Sequence, residues 1–96
     1  VFHAGDGNLH PFIPYHPSDA DEVTRGWQAS ECIMRECVAR EGTITGEHGV
    51  GIEKREFMKF MFDGAELKAM WDIKQVFDPK QIFNPGKIFP KEMVCR

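Results

Sequence analysis

Most of the histidines lie near the start of the chain, and two of them, His3 and His10, bracket the turn-forming run Gly5-Asp6-Gly7-Asn8. If strands flank that turn, the two imidazoles can face each other across its base. Imidazole suits zinc, manganese, iron and similar divalent ions. Two structural histidines would show the same spacing. A second cluster, Gly46-Glu47-His48-Gly49-Val50-Gly51, sets a carboxylate beside an imidazole. Its glycines let the backbone approach a ligand closely, and it leads into a stretch whose helical N-terminus would favour anions. The pair fits an acid/base histidine, and Glu47 is able to complete a His-His-Glu metal set. A glycine-rich connector carrying a surface Glu and His fits as well. The cluster is not a phosphate-binding P-loop, because Gly51 is followed by Ile52-Glu53 where Lys-Ser/Thr would stand, and Gly5-x-Gly7 lacks the third glycine of a dinucleotide fingerprint.

These groups need elements to hold them. Val1-Phe2-His3 reads as the end of a strand, and Leu9 to Tyr15 as a second extended run whose prolines remove ladder donors. A long helix is expected from about Asp19 to Arg40. Ser18 and Asp21 resemble a capping box at its start, and acidic residues sit at the positive end of its dipole. Ala20, Val23, Trp27, Met34 and Cys37 form one apolar stripe, Glu31/Arg35 and Glu36/Arg40 are well-ordered i,i+4 pairs, and Gly42 is the expected C′ stop. Further helix is expected from about Ile52 to Phe62. The next helix would be capped by Asp63 and Glu66, with Leu67, Met70, Trp71, Ile73 and Phe77 turned inward. Asp78-Pro79 ends it, because the residue before proline is pushed out of helical space. Pro79 then fits the first turn of a short helix through Phe83. Asn84-Pro85-Gly86-Lys87 has the signature of a type II turn. The fold class is therefore α+β, with a two-stranded piece between Val1 and Tyr15 and mainly helix after residue 18.

The chain has 96 residues, a formal net charge of -3, 42% hydrophobic and 28% charged residues. That is one small domain or a piece of a larger one, with limited core of its own. The opening at Val1, without Met, reads as an excised segment, and a sheet cut there would leave an edge able to pair with a second copy. The acidic balance argues against nucleic acid, and no apolar run approaches the roughly 20 residues that span a bilayer. Cys32, Cys37 and Cys95 form neither a CxxC pair nor a disulfide pattern. They point to a reducing compartment, with the two helical cysteines acting as small buried hydrophobes and Cys95 in a terminal tail.

Three strings occur here in order: His3-Ala-Gly-Asp-Gly-Asn-Leu-His10, Gly42-Thr-Ile-Thr-Gly-Glu-His-Gly-Val-Gly51 and Phe77-Asp-Pro-Lys-Gln-Ile-Phe-Asn-Pro-Gly-Lys87. Together they resemble the C-terminal signature of FAD-linked oxidases of the vanillyl-alcohol-oxidase type. The resemblance is to the branch holding D-lactate dehydrogenases, D-2-hydroxyglutarate dehydrogenases and the flavin subunit of glycolate oxidase. It covers His3 to about Phe89 and implies a C-terminal segment spanning residues 1–96, with the FAD-binding domain upstream and a ferredoxin-like sheet remnant plus helices here. By position it implies metal ligands at His3, His10 and Glu47, the catalytic histidine at His48, and flavin contacts at Asn84 and Lys87. Some relatives carry an Asn against substrate where this sequence has Phe12.

The implied reaction removes two electrons from a small D-2-hydroxy acid, with FAD and a divalent metal (zinc, manganese or iron) as cofactors. The resemblance further implies an iron–sulfur electron-acceptor subunit as partner and a cytoplasmic site, including the inner face of the membrane, while the cut sheet edge points to a homodimer. The isolated segment is expected to be inactive and not to retain FAD. Two other readings compete: a small metallohydrolase built on His3, His10 and Glu47, and a non-catalytic dimerisation or docking module.

Overall fold

The computed structural model describes residues 1–94; Cys95 lies outside the described residues. The chain divides into two compact units, Val1–Glu47 and His48–Arg96. The class is α+β: among the described residues there are a small sheet, a long helix and three further α-helices.

In the first unit, β1 (Phe2–His3) and β2 (Asn8–Leu9) pair antiparallel, with Phe2 opposite Leu9 and His3 opposite Asn8. One 3-10 turn, Ala4–Asp6, joins them, and Gly7 closes it at φ 68, a left-handed conformation that glycine adopts without penalty. The ladder is shorter than the Val1–Tyr15 expectation. The His10 N–H still reaches the Val1 carbonyl at 2.8 Å, but Pro11 and Pro14 have no N–H to continue it. Instead the segment becomes a strap. Ile13 and Tyr15 lie over Gly26 of α1 (Ala20–Ala39), and the His16 N–H donates to Glu22 Oε2 at 2.7 Å.

Helix α1 keeps the expected span but not the expected caps. The residue at its N-terminus is Asp19, not Ser18: the Asp19 carboxylate accepts from the Asp21 and Glu22 N–H groups at 3.0 and 3.2 Å. The i,i+4 pairs form, Glu31–Arg35 at 2.8 Å and Glu36–Arg40 at 2.6 Å. At the other end the chain makes a Schellman motif one residue earlier than expected. Glu41, at φ 63, occupies C′ and bonds Val38 O at 3.0 Å, while the Gly42 N–H bonds Cys37 O at 2.8 Å. Gly42 is still required, because a Cβ there would sit 2.8 Å from Cys37 O. Cys32 is exposed rather than buried, and Trp27 of the apolar stripe is 52% exposed. One helix and a two-stranded ladder offer little surface to cover that stripe.

Two glycines in this unit predict opposite outcomes. A Cβ at Gly26 would make ordinary contact, 3.5 Å from Tyr15, so Gly26→Ala should stabilise by about 0.5–1 kcal/mol through helix propensity. Gly42→Ala should destabilise by about 1–3 kcal/mol, because its methyl meets backbone that cannot yield. Urea denaturation of both variants checks the pair, and a stabilised Gly42→Ala would contradict the Schellman assignment.

The second unit packs around Phe57, Met58, Leu67, Phe89 and Pro90, all buried. The expected helix from Ile52 starts later, as a 3-10 turn at Arg55–Phe57 running into α2 (Met58–Met61). Gly51 sits at φ 58, outside helical space, and its carbonyl accepts the Ile88 N–H at 2.7 Å, so the helix cannot begin there. Helix α3 (Gly64–Phe77) opens on a capping box, in which Asp63 and Glu66 exchange backbone N–H bonds at 2.8 Å each. It buries Leu67 and sets Trp71 edge-on against Phe89 at 5.0 Å. Ile73 and Phe77, expected inward, are 62% and 81% exposed. The reason is supply: Phe89 covers Trp71 on one side of α3, and a unit this small has few residues left, among those described, to cover the other. Helix α4 (Lys91–Val94) is tied back by the Lys91 N–H to Glu56 at 2.8 Å and by Lys59 to Glu92 at 2.7 Å. The first of these bonds holds the Glu56 carboxyl below its usual range, and Glu92 raises Lys59.

The short helix expected at Pro79–Phe83 does not form. Gln81 turns to φ 52, and the Ile82 and Phe83 N–H groups donate to the Asp78 carboxylate at 2.8 and 3.0 Å. Local side-chain acceptors compete here with helical carbonyls and win. Gly86 takes φ 70, as the type II reading of Asn84–Lys87 requires.

Candidate functional site

His3 stands opposite Asn8, and His10 lies two positions further along the same strand direction. Side chains alternate across a strand, so His3, Asn8 and His10 share one face, with the two histidines as diagonal neighbours. Their rings meet edge to face, centroids 5.4 Å apart at 71°.

The third member arrives on a loop that three features hold. Ile44 is 2% exposed and is the one buried residue described in the first unit. The Thr43 hydroxyl bonds the Thr45 carbonyl and accepts the Thr45 N–H at 3.3 Å. Gly46 then presses its backbone against the Asn8 amide: a Cβ on Gly46 would fall 2.6 Å from Asn8 Oδ1 and 2.8 Å from its Cγ. That contact delivers Glu47 to the histidine face. Glu47 Oε1 lies 3.5 Å from His3 Nε2 and 3.2 Å from His10 Nε2.

The donor set suits a divalent ion. All three ligand atoms lie within 4.8 Å of one another. Two ligands about 2.0–2.1 Å from a tetrahedral zinc stand roughly 3.3 Å apart, close to both Glu47–His separations. Two imidazole nitrogens and one carboxylate leave at least one position open, which is the composition of catalytic rather than structural sites. The His3 and Glu47 side chains are 54% and 51% exposed and His10 is 20% exposed, so a small molecule can reach the set.

His48 begins the second unit, exposed, in the bend directly after Glu47. Phe12 is 81% exposed on the strap. Asn84 and Lys87 are exposed on the Pro85–Gly86 turn, Asn84 at φ 46 and the Lys87 ammonium 3.4 Å from the Pro85 carbonyl. Two residues with clear structural parts drew no attention in the sequence beyond their local roles. Asn8 is the spacer between the sheet and the Glu47 loop. Asp78, read only as the end of a helix, is 4% exposed and collects Lys74 Nζ at 2.6 Å besides its two backbone donors. Lys74 holds its carboxyl below the usual aspartate range, assisted by the Ile82 and Phe83 N–H groups. An Asp-Pro pair followed by hydrophobics was the available signal.

The Gly46 contact makes a prediction for the metal set. Gly46→Ala should push Asn8 aside and spread Glu47 from the histidines, weakening zinc binding by roughly ten- to a hundred-fold, the scale of losses around ligand shells. Asn8→Ala in the same chain removes the clash and should recover most of the affinity. A zinc titration in which Gly46→Ala binds like the parent would rule out this spacing role.

The model for the family described as FAD linked oxidases, C-terminal domain, matches residues 1–88. Over 74 residues the chain is 41% identical to the glycolate oxidase subunit GlcD of Escherichia coli, covering 77% of this chain and 15% of that protein. It is 45% identical over 74 residues to a mitochondrial D-lactate dehydrogenase (cytochrome) of Saccharomyces cerevisiae, covering 77% of this chain and 12% of the relative. A D-2-hydroxyglutarate dehydrogenase of Xanthomonas citri is 36% identical over 74 residues, 75% of this chain and 16% of that protein. The chain thus spans about a sixth or less of the curated relatives it matches.

Proposed function

Because this chain belongs to the family of FAD linked oxidase C-terminal domains, we propose that it forms the metal- and substrate-facing part of a flavoenzyme that oxidises a small D-2-hydroxy acid to the 2-keto acid. The observation that supports this reading above the others is the convergence of His3, His10 and Glu47 on one face of the β1–β2 hairpin. His3, His10 and Glu47 would hold a divalent ion, which would supply Lewis acidity toward the hydroxyl of a 2-hydroxy acid. FAD would supply the hydride acceptor for this two-electron oxidation.

The residues of the chain carry the rest. His48 accepts the hydroxyl proton on an imidazole nitrogen as the C2–H bond breaks, which leaves C=O at C2 and an imidazolium to be discharged to water. Imidazole suits that task because its ordinary pKa lies near neutrality. Gly49 puts no side chain beside His48, and among the described residues nothing lies within 4 Å of where its Cβ would stand. Asn84 and Lys87 border the flavin from the Pro85–Gly86 turn. GlcD is named a subunit, and a separate electron acceptor, such as an iron–sulfur subunit, fits a flavin that must be reoxidised each turnover.

Turnover of the whole protein on glycolate, D-lactate and D-2-hydroxyglutarate, with metal analysis and the flavin absorbance recorded alongside, tests the reading. A protein that binds flavin and metal and oxidises one of these acids is expected. A flavin-free protein, or one that hydrolyses esters or amides at the metal, would reject it. A second reading, a docking module, draws on the exposed Ile73, Val76 and Phe77 of α3. Loss of turnover with full retention of assembly in His48→Ala eliminates it.

A further inference from the structure

The turn that carries Asn84 is held from two sides by charged side chains that play no part in the chemistry described so far. On its N-terminal side Asp78 accepts the Ile82 N–H at 2.8 Å and the Phe83 N–H at 3.0 Å. Lys74 bridges the same segment, giving one hydrogen bond to Asp78 Oδ2 at 2.6 Å and one to the Phe83 carbonyl at 2.7 Å. On its C-terminal side Arg55, whose side chain is 12% exposed, donates to the Gly86 carbonyl at 2.7 Å, and the Gly51 carbonyl takes the Ile88 N–H at 2.7 Å.

Between these anchors the backbone is strained. Among the described residues, three of the four non-glycine positions with positive φ are Gln81, Asn84 and Ile88, at 52°, 46° and 70°. For β-branched Ile88 this is an outlier that persists only where its surroundings over-determine it. Asp78 is moreover the one polar residue buried in the described chain. A buried carboxylate is costly unless every lone pair is used, and here its partners are the backbone of the strained loop and the lysine that grips it. A loop needing only to close the chain has no use for so much constraint.

We infer that Asp78 and Arg55 are positioning residues: by clamping the backbone on both sides of Asn84-Pro85-Gly86-Lys87 they set the direction in which Asn84 meets the flavin. The inference rests on the proposed flavin contact of Asn84 and adds to it the residues that aim it. Asp78 and Arg55 act here through the backbone they bind, at Ile82, Phe83 and Gly86. Replacing Asp78 by Asn puts an NH2 group where donors already converge, so the loop loses at least one anchor without losing volume. Replacing Arg55 by Lys keeps the charge but loses the guanidinium reach to Gly86.

The test uses the whole flavoprotein as prepared with FAD. Four proteins are compared, parent, Asp78→Asn, Asn84→Ala and the double variant, by FAD dissociation constant, flavin reduction potential and visible spectrum. Asn84→Ala is expected to weaken FAD binding or shift the potential. Asp78→Asn should move the same quantities in the same direction, with FAD binding weakened by about tenfold, the loss expected from leaving one buried hydrogen bond unmade. In the Asn84→Ala background the Asp78 change should add little, because both act through one contact. If Asn84→Ala leaves FAD affinity, potential and spectrum all untouched, the flavin contact itself is wrong. If Asn84→Ala moves them but Asp78→Asn changes only thermal stability, or the two effects simply add, the clamp is structural and the inference fails. Should Asp78→Asn not fold, Arg55→Lys takes its place in the cycle with the same expected non-additivity, and additivity there overturns the inference equally.

Discussion

His48→Ala in the whole flavoprotein should lower kcat by roughly a hundred- to ten-thousand-fold, the range for losing a general base, with metal and FAD contents unchanged. His48 follows Glu47 directly but is absent from the set of converging ligand atoms, so removing its ring takes away a proton acceptor without taking away a metal donor. A slow, water-dependent rate should remain in the variant. Near-normal kcat across pH would place the base elsewhere and leave His48 a connector residue.

Glu47→Ala should behave differently, although the two residues are adjacent. Glu47 Oε1 stands 3.5 and 3.2 Å from the His3 and His10 nitrogens, and it is the anionic member of the set. Its removal leaves two neutral imidazoles to hold a dication. Metal affinity should fall by roughly a hundredfold or more, beyond the losses seen when only supporting residues are changed. KM should rise with it, because a metal ligand positions substrate as well as activating it. Metal analysis after dialysis, followed by steady-state kinetics with and without added zinc or manganese, separates this from the His48 result: excess metal should restore part of the Glu47→Ala activity and none of the His48→Ala activity. A Glu47→Ala protein that keeps its metal through dialysis would remove Glu47 from the ligand set and with it the central observation behind the proposed function.

Much of the local structure was legible in the residues themselves, for a common reason. The Glu31–Arg35 and Glu36–Arg40 pairs, the Asp63/Glu66 capping box, the end of α3 before Pro79 and the positive φ of Gly86 all depend on partners within four residues. Interactions of that range are written into spacing and change little with what packs around them. The same holds for His3 and His10 sharing a face, since a tight turn between short strands makes diagonal neighbours of them. Even here the caps slipped by a residue: Ser18 and Asp19 differ as N-caps by only tenths of a kcal/mol, whereas Glu41 takes C′ against the glycine preference and leaves Gly42 where a Cβ would meet the Cys37 carbonyl.

What only the tertiary structure decided is everything that spans the chain. Glu47 meets the histidines because Ile44 is buried and Gly46 leaves room for Asn8, a fit of surfaces that no spacing announces. Ile73 and Phe77 share the apolar pattern of Leu67 yet stay exposed, because periodicity reports which residues could be covered and not whether a covering layer exists. Asp78 looked like a helix terminator and is instead the acceptor around which Ile82, Phe83 and Lys74 gather. Its partners lie within five residues, but the turn that brings the Ile82 and Phe83 N–H groups to the carboxylate goes through the positive φ of Gln81, which no spacing announces. Residue types and short spacings therefore determined the chemistry this chain can offer, and packing across the sequence decided which of those groups meet.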